Sequence, residues 1–168
     1  YMSILVIGGG GYVGSLLVKK LVEKRINVLV LDLFIYAPPE EVFSGFYDSE
    51  FLQVIKGDMR DIDLMENLVS KSDNIIHLAC ISNDPSFELN PDLGKSINFD
   101  SFYPLVKVCK KKIDKFIYAS SSSVYGIKNE NNVTEDLSLE PLTDYSKYKA
   151  MCEDILLNES GNNFCTTI

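Results

Sequence analysis

Three side chains in the second half of the sequence have types and spacing suited to moving a proton on and off a hydroxyl group. Tyr145 and Lys149 are four residues apart, so on a helix they share one face. A phenol titrates near pH 10 and is a poor base at neutral pH, but a nearby ammonium group favours the phenolate. Ser121 can hydrogen-bond the same substrate hydroxyl. Such a set moves protons only, so we expect a cofactor to carry out the oxidation. Since Tyr/Lys pairs at this spacing are also common on solvated helix faces, the prediction depends on the rest of the chain.

A glycine-rich turn near the start of the chain predicts that cofactor. The apolar run Ile4 to Ile7 reads as a buried strand, and an apolar helical stripe begins at Leu16. Between them stand Gly8, Gly11 and Gly14, the spacing of a dinucleotide-binding turn, where backbone N–H groups at a helix N-terminus face a pyrophosphate. A flexible turn is the alternative reading of glycines alone.

Asp32 strengthens the dinucleotide reading. It ends a second apolar strand, Asn27 to Asp32, and follows Gly14 by 18 residues. This is close to the spacing expected for the carboxylate that holds the adenosine ribose hydroxyls of a dinucleotide. No basic residue occurs between Asp32 and Lys56 to receive a 2′-phosphate, so we predict NAD rather than NADP.

Strands and helices alternate along the chain. Further strands are predicted over residues 51–55, 74–79, 115–120 and 164–168. Asp61 is predicted to cap a helix that runs through Val69, and further helices are predicted over residues 91–112, broken or bent near Pro104, and over residues 145–158. Residues 33–50 are too apolar for a disordered linker and predict a packed loop with one helical turn. This alternation predicts an α/β fold with a doubly wound parallel sheet, the Rossmann fold, in one domain over residues 1–168.

Composition narrows the class of protein. The net charge of −8 among 168 residues argues against a nucleic-acid partner, and the apolar runs are too short to cross a membrane. The four cysteines have no metal-binding spacing and predict buried free thiols, so we expect a cytoplasmic protein without a metal site. His77 lies inside a predicted buried strand and reads as a core residue rather than an acid or base.

The ordered set of motifs resembles the extended short-chain dehydrogenase/reductase family, the sugar-nucleotide epimerases and dehydratases. The resemblance also includes residues 57–61 (Gly-Asp-Met-Arg-Asp), 77–79 (His-Leu-Ala), Asn98 and 120–126, and it covers nearly the whole chain. It implies that NAD is the cofactor, a nucleotide sugar the substrate, and Ser121, Tyr145 and Lys149 the catalytic residues. The cofactor-binding positions it implies are Gly8, Gly11, Tyr12, Val13, Gly14, Asp32, Leu33, Asp58, Met59, Leu78, Ala79, Cys80, Asn98, Tyr145 and Lys149.

Two departures from that family bear on function. Its 4,6-dehydratases carry Thr-Asp-Glu where this chain has Ser121, Ser122 and Ser123, so a 4-epimerase is favoured over a dehydratase. A reductase or dehydrogenase acting on a sugar nucleotide, and a non-catalytic NAD-binding sensor, remain alternatives. Longer members continue into a C-terminal region that binds the substrate's nucleotide. We therefore expect residues 1–168 alone to bind NAD without turning over a nucleotide sugar, and the full-length form to be a homodimer.

Overall fold

The computed structural model describes residues 2–168 and contains a six-stranded sheet in which every strand pairs with its neighbours in parallel. The strand order is β3-β2-β1-β4-β5-β6. This order confirms the predicted doubly wound sheet. The strands are β1 (Ser3–Ile7), β2 (Asn27–Asp32), β3 (Leu52–Lys56), β4 (Asn74–His77), β5 (Lys115–Tyr118) and β6 (Cys165–Thr167).

Within residues 2–168, seven α-helices connect the strands or lie beside them. They are α1 (Tyr12–Glu23), α2 (Pro39–Val42), α3 (Ile62–Ser70), α4 (Asp84–Glu88), α5 (Pro91–Lys95), α6 (Phe102–Cys109) and α7 (Asp144–Glu159). A π-helical segment, Ser96–Asp100, joins α5 to α6, and a 3₁₀ turn, Ser122–Tyr125, follows β5. No helix within residues 2–168 combines the length and the apolar character that crossing a membrane requires.

The two faces of the sheet pack against different parts of the chain. Because side chains alternate along a strand, Ile4 and Val6 of β1 pack with α1 and with Phe34 and Phe43 on one face. On the opposite face, Leu5 and Ile7 belong to a larger cluster to which α3, α6 and α7 contribute. The loop after β2 is packed and contains one helical turn, α2, as predicted.

The predicted break or bend near Pro104 is found slightly earlier along the chain, at residues 96–101. The helix is interrupted earlier, at the π-helical segment Ser96–Asp100, where the N–H of Ser101 donates to the carbonyl of Ser96 at 3.3 Å. Pro104 lies in the first turn of α6, three residues after this interruption, and it has no N–H to donate to the preceding turn.

The cysteine prediction is correct only in part. Cys109 and Cys152 are buried free thiols, whereas Cys80 is partly exposed and Cys165 is exposed on the edge strand β6. Successive side chains of a strand point to opposite faces, and Cys165 shares the exposed face of β6 with Thr167.

β1 lies where the chain reverses its direction across the sheet, with β2 on one side and β4 on the other. In open α/β sheets, ligands bind in the crevice beyond the carboxyl ends of the strands at this reversal. The glycine turn after β1, Asp32 at the end of β2 and Leu78 after β4 all lie at that edge of the sheet.

Candidate active site

The turn after β1 holds glycine at positions where backbone segments pass very close together. Gly8 has φ +85°, and a Cβ there would lie 2.5 Å from the backbone N of Ala79. A Cβ on Gly14 would lie 2.4 Å from the carbonyl oxygen of Gly8, so Gly14 lets α1 pack directly on the turn. Gly11 differs, since a Cβ there would meet only the Gly8 oxygen, at 3.5 Å. A side chain on Gly11 would fit the protein but take up space in the cleft that this residue borders.

The N-terminus of α1 is open to an anion. No side chain caps it, and the first intrahelical bond runs from the N–H of Ser15 to the Gly11 carbonyl at 2.9 Å. The N–H groups of the first turn, starting with those of Tyr12 and Val13, have no intrahelical acceptor and lie at the positive end of the helix dipole. Tyr12 is 97% and Val13 63% exposed. This arrangement suits a pyrophosphate.

The carboxylate of Asp32 is fixed in place by backbone donors. The N–H of Gly10 donates to its Oδ2 at 2.9 Å, and the N–H of Phe34 donates to its Oδ1 at 2.8 Å. A carboxylate oxygen accepts more than one hydrogen bond, so both oxygens can still receive hydroxyl donors. Asp32 also lines the cleft, as required of a group that holds a ribose.

A cleft of about 550 Å³ opens at this edge of the sheet, within the size range of small-molecule and cofactor sites. Of the predicted cofactor residues, it is lined by Gly8, Gly11, Asp32, Leu33, Asp58, Met59, Leu78, Ala79 and Cys80. Tyr12, Val13 and Gly14 lie beside it at the N-terminus of α1. Asn98, Tyr145 and Lys149 are not part of its lining.

Arg60 is the only cation lining the cleft in the described part of the chain, and it is tied to a carboxylate. Its Nη2 lies 2.5 Å from Oδ2 of Asp58, and its Nε is 3.0 Å from both Asp58 oxygens. The hydrogen bond with Arg60 lowers the pKa of the Asp58 carboxyl and raises the pKa of the guanidinium. Arg60 Nη1 also donates to Ser96 Oγ at 3.2 Å, so this cation is engaged within the protein.

Asn98 acts on the cleft through the loop that follows β4. Its Nδ2 donates to the carbonyl of Ile81 at 2.9 Å, and its Oδ1 accepts the N–H of Ile81 at 2.8 Å. Ile81 lines the cleft, so Asn98 supports one of its walls from behind. A direct contact between Asn98 and the cofactor stays a prediction.

The predicted serine follows β5 and begins the 3₁₀ turn. Ser121 Oγ accepts the N–H of Ser123 at 3.3 Å and lies 2.9 Å from Ser123 Oγ. The residue before it, Ser120, donates a hydrogen bond to the carboxylate of Glu153 on α7. The loop carrying Ser121 is thus fastened to the helix that carries the other two predicted catalytic residues.

Tyr145 lies in the first turn of α7, and Lys149 lies one turn later. The helix begins in a capping box formed by Thr143 and Ser146, and Thr143 Oγ1 also donates to Asp84 Oδ1 of α4 at 2.6 Å. Tyr145 is 8% exposed and Lys149 is 3% exposed. The structure therefore buries both side chains, whereas a pair on a solvated helix face would be exposed.

The electrostatics of Tyr145 differ from the simplest expectation. Burial raises the pKa of the phenol, Cys80 adds to that rise, and the interaction with the Ser121 hydroxyl lowers it. Lys149 instead donates to the carbonyl of Ala119 at 2.7 Å, with its Nζ 4.6 Å from the centroid of the Tyr118 ring. The lowered phenol pKa expected from the sequence is thus not found for the protein alone.

Sequence reasoning missed residues that support the site. Tyr118, Glu153 and Thr143 make the contacts just described, but none was singled out. Glu153 had a usable signal, because it follows Lys149 by four residues and therefore lies on the same side of the helix. Tyr118 had none, since an aromatic residue in a buried strand is ordinary core composition.

The residues fit a dinucleotide. An uncapped helix N-terminus, the open position at Gly11, a fixed carboxylate at Asp32 and a cleft of about 550 Å³ lie together at the carboxyl ends of the central strands.

Comparison with known proteins agrees with this geometry. UDP-glucose 4-epimerase from Lactobacillus helveticus is 32% identical over 158 residues, which are 92% of this chain and 46% of that protein. The UDP-N-acetylglucosamine 4-epimerase structure from Methanobrevibacter ruminantium M1 superposes with a TM-score of 0.85 at 30% identity, covering 94% of this chain and 50% of that one. The UDP-glucuronic acid 4-epimerase from Bacillus cereus, solved with UDP-glucuronic acid and NAD, gives 0.84 at 29% identity, covering 98% of this chain and 55% of that one.

This chain spans about half the length of the curated relatives it matches. The family profile of NAD dependent epimerases and dehydratases matches residues 4–168, which is nearly the whole chain. The expected resemblance and the NAD cofactor are thereby confirmed, and the chain belongs to the NAD dependent epimerase/dehydratase family.

Proposed function

We propose that this protein is the NAD-binding and catalytic part of an epimerase that oxidises and re-reduces a hydroxyl group, at C4, of a nucleotide sugar. The observation that carries the proposal is the burial of Tyr145 and Lys149 next to the loop of Ser121, at the carboxyl end of β5. A sensor that only binds a dinucleotide has no need of this set.

The cleft supplies the positions for the cofactor. The N-terminus of α1 would hold the pyrophosphate, Asp32 the adenosine ribose, and Asp58 with Met59 the adenine. Leu78, Ala79 and Cys80 would then border the nicotinamide. When bound there, NAD accepts a hydride from the sugar carbon and returns it.

Tyr145 would take the proton of the reacting hydroxyl and give it back. Burial raises the pKa of this phenol, so the phenolate requires positive charge close by. Lys149 is the cation that the fold keeps one helical turn away, and Ser121 is the hydroxyl that orients the substrate and favours the ionised phenol. The burial of Tyr145 and Lys149 beside the Ser121 loop supports these roles.

The assignment to C4 and to a nucleotide sugar draws on the named relatives, which are 4-epimerases of UDP-sugars. The positions where a dehydratase carries its two acids are Ser122 and Ser123 in this chain. An epimerase is therefore favoured over a dehydratase.

The test is turnover of UDP-glucose and UDP-N-acetylglucosamine by the protein as its gene encodes it, with NAD binding measured in parallel. Tyr145→Phe should lower turnover by about 10²–10⁴-fold, as expected for loss of a general base, while NAD affinity changes little. Tyr148→Phe is the matched control, because Tyr148 lies on the same helix as Tyr145. The ring of Tyr148 is stacked on that of Phe99, with 5.1 Å between centroids, and this variant should retain turnover. The reverse result would make Tyr148 the base.

Bound NAD distinguishes the remaining alternatives. An epimerase regenerates NAD in every turnover, so cofactor that stays with the protein through purification favours it over a reductase, which must exchange cofactor. Binding of NAD without turnover of either sugar nucleotide would favour the sensor. We also propose that the full-length form is a homodimer, which light scattering would test.

A further inference from the structure

We propose that Tyr118 is a positioning residue that holds the ammonium group of Lys149 in its working place through the face of its aromatic ring. The inference rests on the proposed function for the role of Lys149, but the contact itself can be tested without any turnover. Lys149 Nζ lies 4.6 Å from the centroid of the Tyr118 ring, within the range of a cation–π interaction.

Lys149 needs such a partner because its surroundings provide few others. The residue is 3% exposed, and its Nζ donates one hydrogen bond in the described structure, to the Ala119 carbonyl at 2.7 Å. An ammonium group has three donors, and burying a charge is costly unless other groups compensate. A carbonyl on one side and an aromatic face on another compensate part of that cost without adding a negative charge.

A carboxylate partner would work less well for this lysine. An ion pair would neutralise the positive charge that Tyr145 requires, whereas a ring face leaves the charge available. The nearest acid on the same face of α7, Glu153, is engaged by Ser120. Within the described residues Lys149 forms no ion pair with Glu153, and its ammonium lies over the Tyr118 ring instead.

The ring of Tyr118 is itself held firmly. It is 3% exposed, and its centroid lies 4.9 Å from that of Phe102 and 5.6 Å from that of His77. Burial raises the pKa of the Tyr118 phenol, so this residue stays neutral and does not compete with Tyr145 as a base. Burial and the charge of Lys149 lower the pKa of His77 to about 3, so the imidazole next to the Tyr118 ring is uncharged at neutral pH.

The direct test is NMR of the protein labelled with ¹³C at lysine Cε. A methylene group held over a ring face is shifted upfield, so one lysine signal should be displaced, and Lys149→Arg identifies it by removing it. Tyr118→Phe keeps the ring and should keep the shift, whereas Tyr118→Leu should abolish it. Phe116→Leu is the matched control, because it truncates a buried aromatic of the same strand and should leave the signal in place.

The kinetic test is the pH dependence of kcat in the holoenzyme. Tyr118→Leu should lower kcat about 5- to 30-fold and move the acid limb to higher pH, because a displaced ammonium favours the Tyr145 phenolate less. Tyr118→Phe should match the wild type in both respects. A change in stability alone would lower the amount of active enzyme without moving the acid limb of the kcat profile, and this is the result expected for Phe116→Leu.

Three results would overturn the proposal: no upfield lysine signal in the wild type, an unchanged Lys149 signal in Tyr118→Leu, or an equal shift of the acid limb in Phe116→Leu. The absence of an upfield lysine signal is measured on the wild type, so it would refute the proposal even if Tyr118→Leu does not fold. Failure of the proposed function would appear differently, as a wild type that shows the shifted signal but turns over no sugar nucleotide.

Discussion

Gly14→Ala tests the contact between α1 and the glycine turn. A Cβ at this position would lie 2.4 Å from the Gly8 oxygen, 2.7 Å from the Gly9 Cα and 2.8 Å from the Gly9 carbonyl carbon. All three are backbone atoms, which cannot rotate away as a side chain would. To restore an ordinary contact, the start of α1 must move by about 1 Å from the end of β1.

The magnitude follows from two opposing effects on the free energy of unfolding. Overpacking a close contact costs about 1–3 kcal/mol, and the backbone contacts place this case at the upper end. Replacing glycine by alanine within a helix returns up to about 1 kcal/mol. We therefore expect Gly14→Ala to lower the free energy of unfolding by about 1–2 kcal/mol. The displaced N–H groups should also weaken NAD binding by more than about tenfold, since one charge-assisted hydrogen bond is worth about 1.5–3 kcal/mol.

Urea unfolding and calorimetric titration with NAD measure the two effects. Gly161→Ala is the matched control, because a Cβ there meets nothing within 4 Å. It should be neutral, or stabilising by up to about 1 kcal/mol, with unchanged NAD affinity. Wild-type NAD affinity in Gly14→Ala would refute the reasoning, since the anion site would then not depend on how α1 meets the turn.

Three further predictions address the cofactor, the core and the catalytic loop. Asp32→Ala should weaken NAD binding and reduce the preference for NAD over NADP, because the negative charge that repels a 2′-phosphate is gone. Titration with both dinucleotides measures the preference, and an unchanged preference would mean that another residue sets it. Because the pKa of His77 is lowered from 6.5 to about 3, the unfolded chain binds a proton that the folded chain does not, and stability falls as pH drops through that window. The loss from this residue is about 2 kcal/mol at pH 5, so His77→Phe should reduce the difference in unfolding free energy between pH 7 and pH 5 by that amount in urea titrations. Glu153→Ala should lower kcat about tenfold with little change in NAD affinity, since it releases the Ser120 contact and loosens the loop; the exposed neighbour Asp154 gives the control Asp154→Ala, and equal losses in both variants would contradict a role for the contact.

The parts of the fold that depend on local pattern were predictable. The second strand, Asn27–Asp32, has the predicted bounds, because an uninterrupted apolar run ends in a charged residue. Asp61 caps α3, as its type and position indicated, with its Oδ1 accepting the N–H of Leu64 at 3.0 Å. The spacing of Gly8, Gly14 and Asp32 also predicted the position of the cleft at the carboxyl ends of the strands, since these residues recur at fixed distances around a strand–turn–helix unit.

The parts that depend on contacts between distant segments were not predictable. α4 has five residues, too few for a helical period, and Asn83 precedes it with φ 65°. The π-helical segment changes which residues face the loop after β4. No local sequence pattern therefore indicated that the Oδ1 and the Nδ2 of Asn98 would both hydrogen-bond the backbone of Ile81. The Lys149 contacts likewise depend on how β5 meets α7. A spacing of four residues shows a shared helix face but not what that face touches.

The strand order has a consequence for how the protein acquires its cofactor site. β1 pairs with β2 nearby in sequence, but its pairing with β4 joins Ile4 to Asn74, about 70 residues apart. Such distant pairings are slow to form because the intervening loop must close first. The cleft lies between these two pairings, so it exists only once the slower one has formed. Dinucleotide binding therefore selects the completed sheet over partly folded chains, and the cofactor stabilises that sheet by mass action.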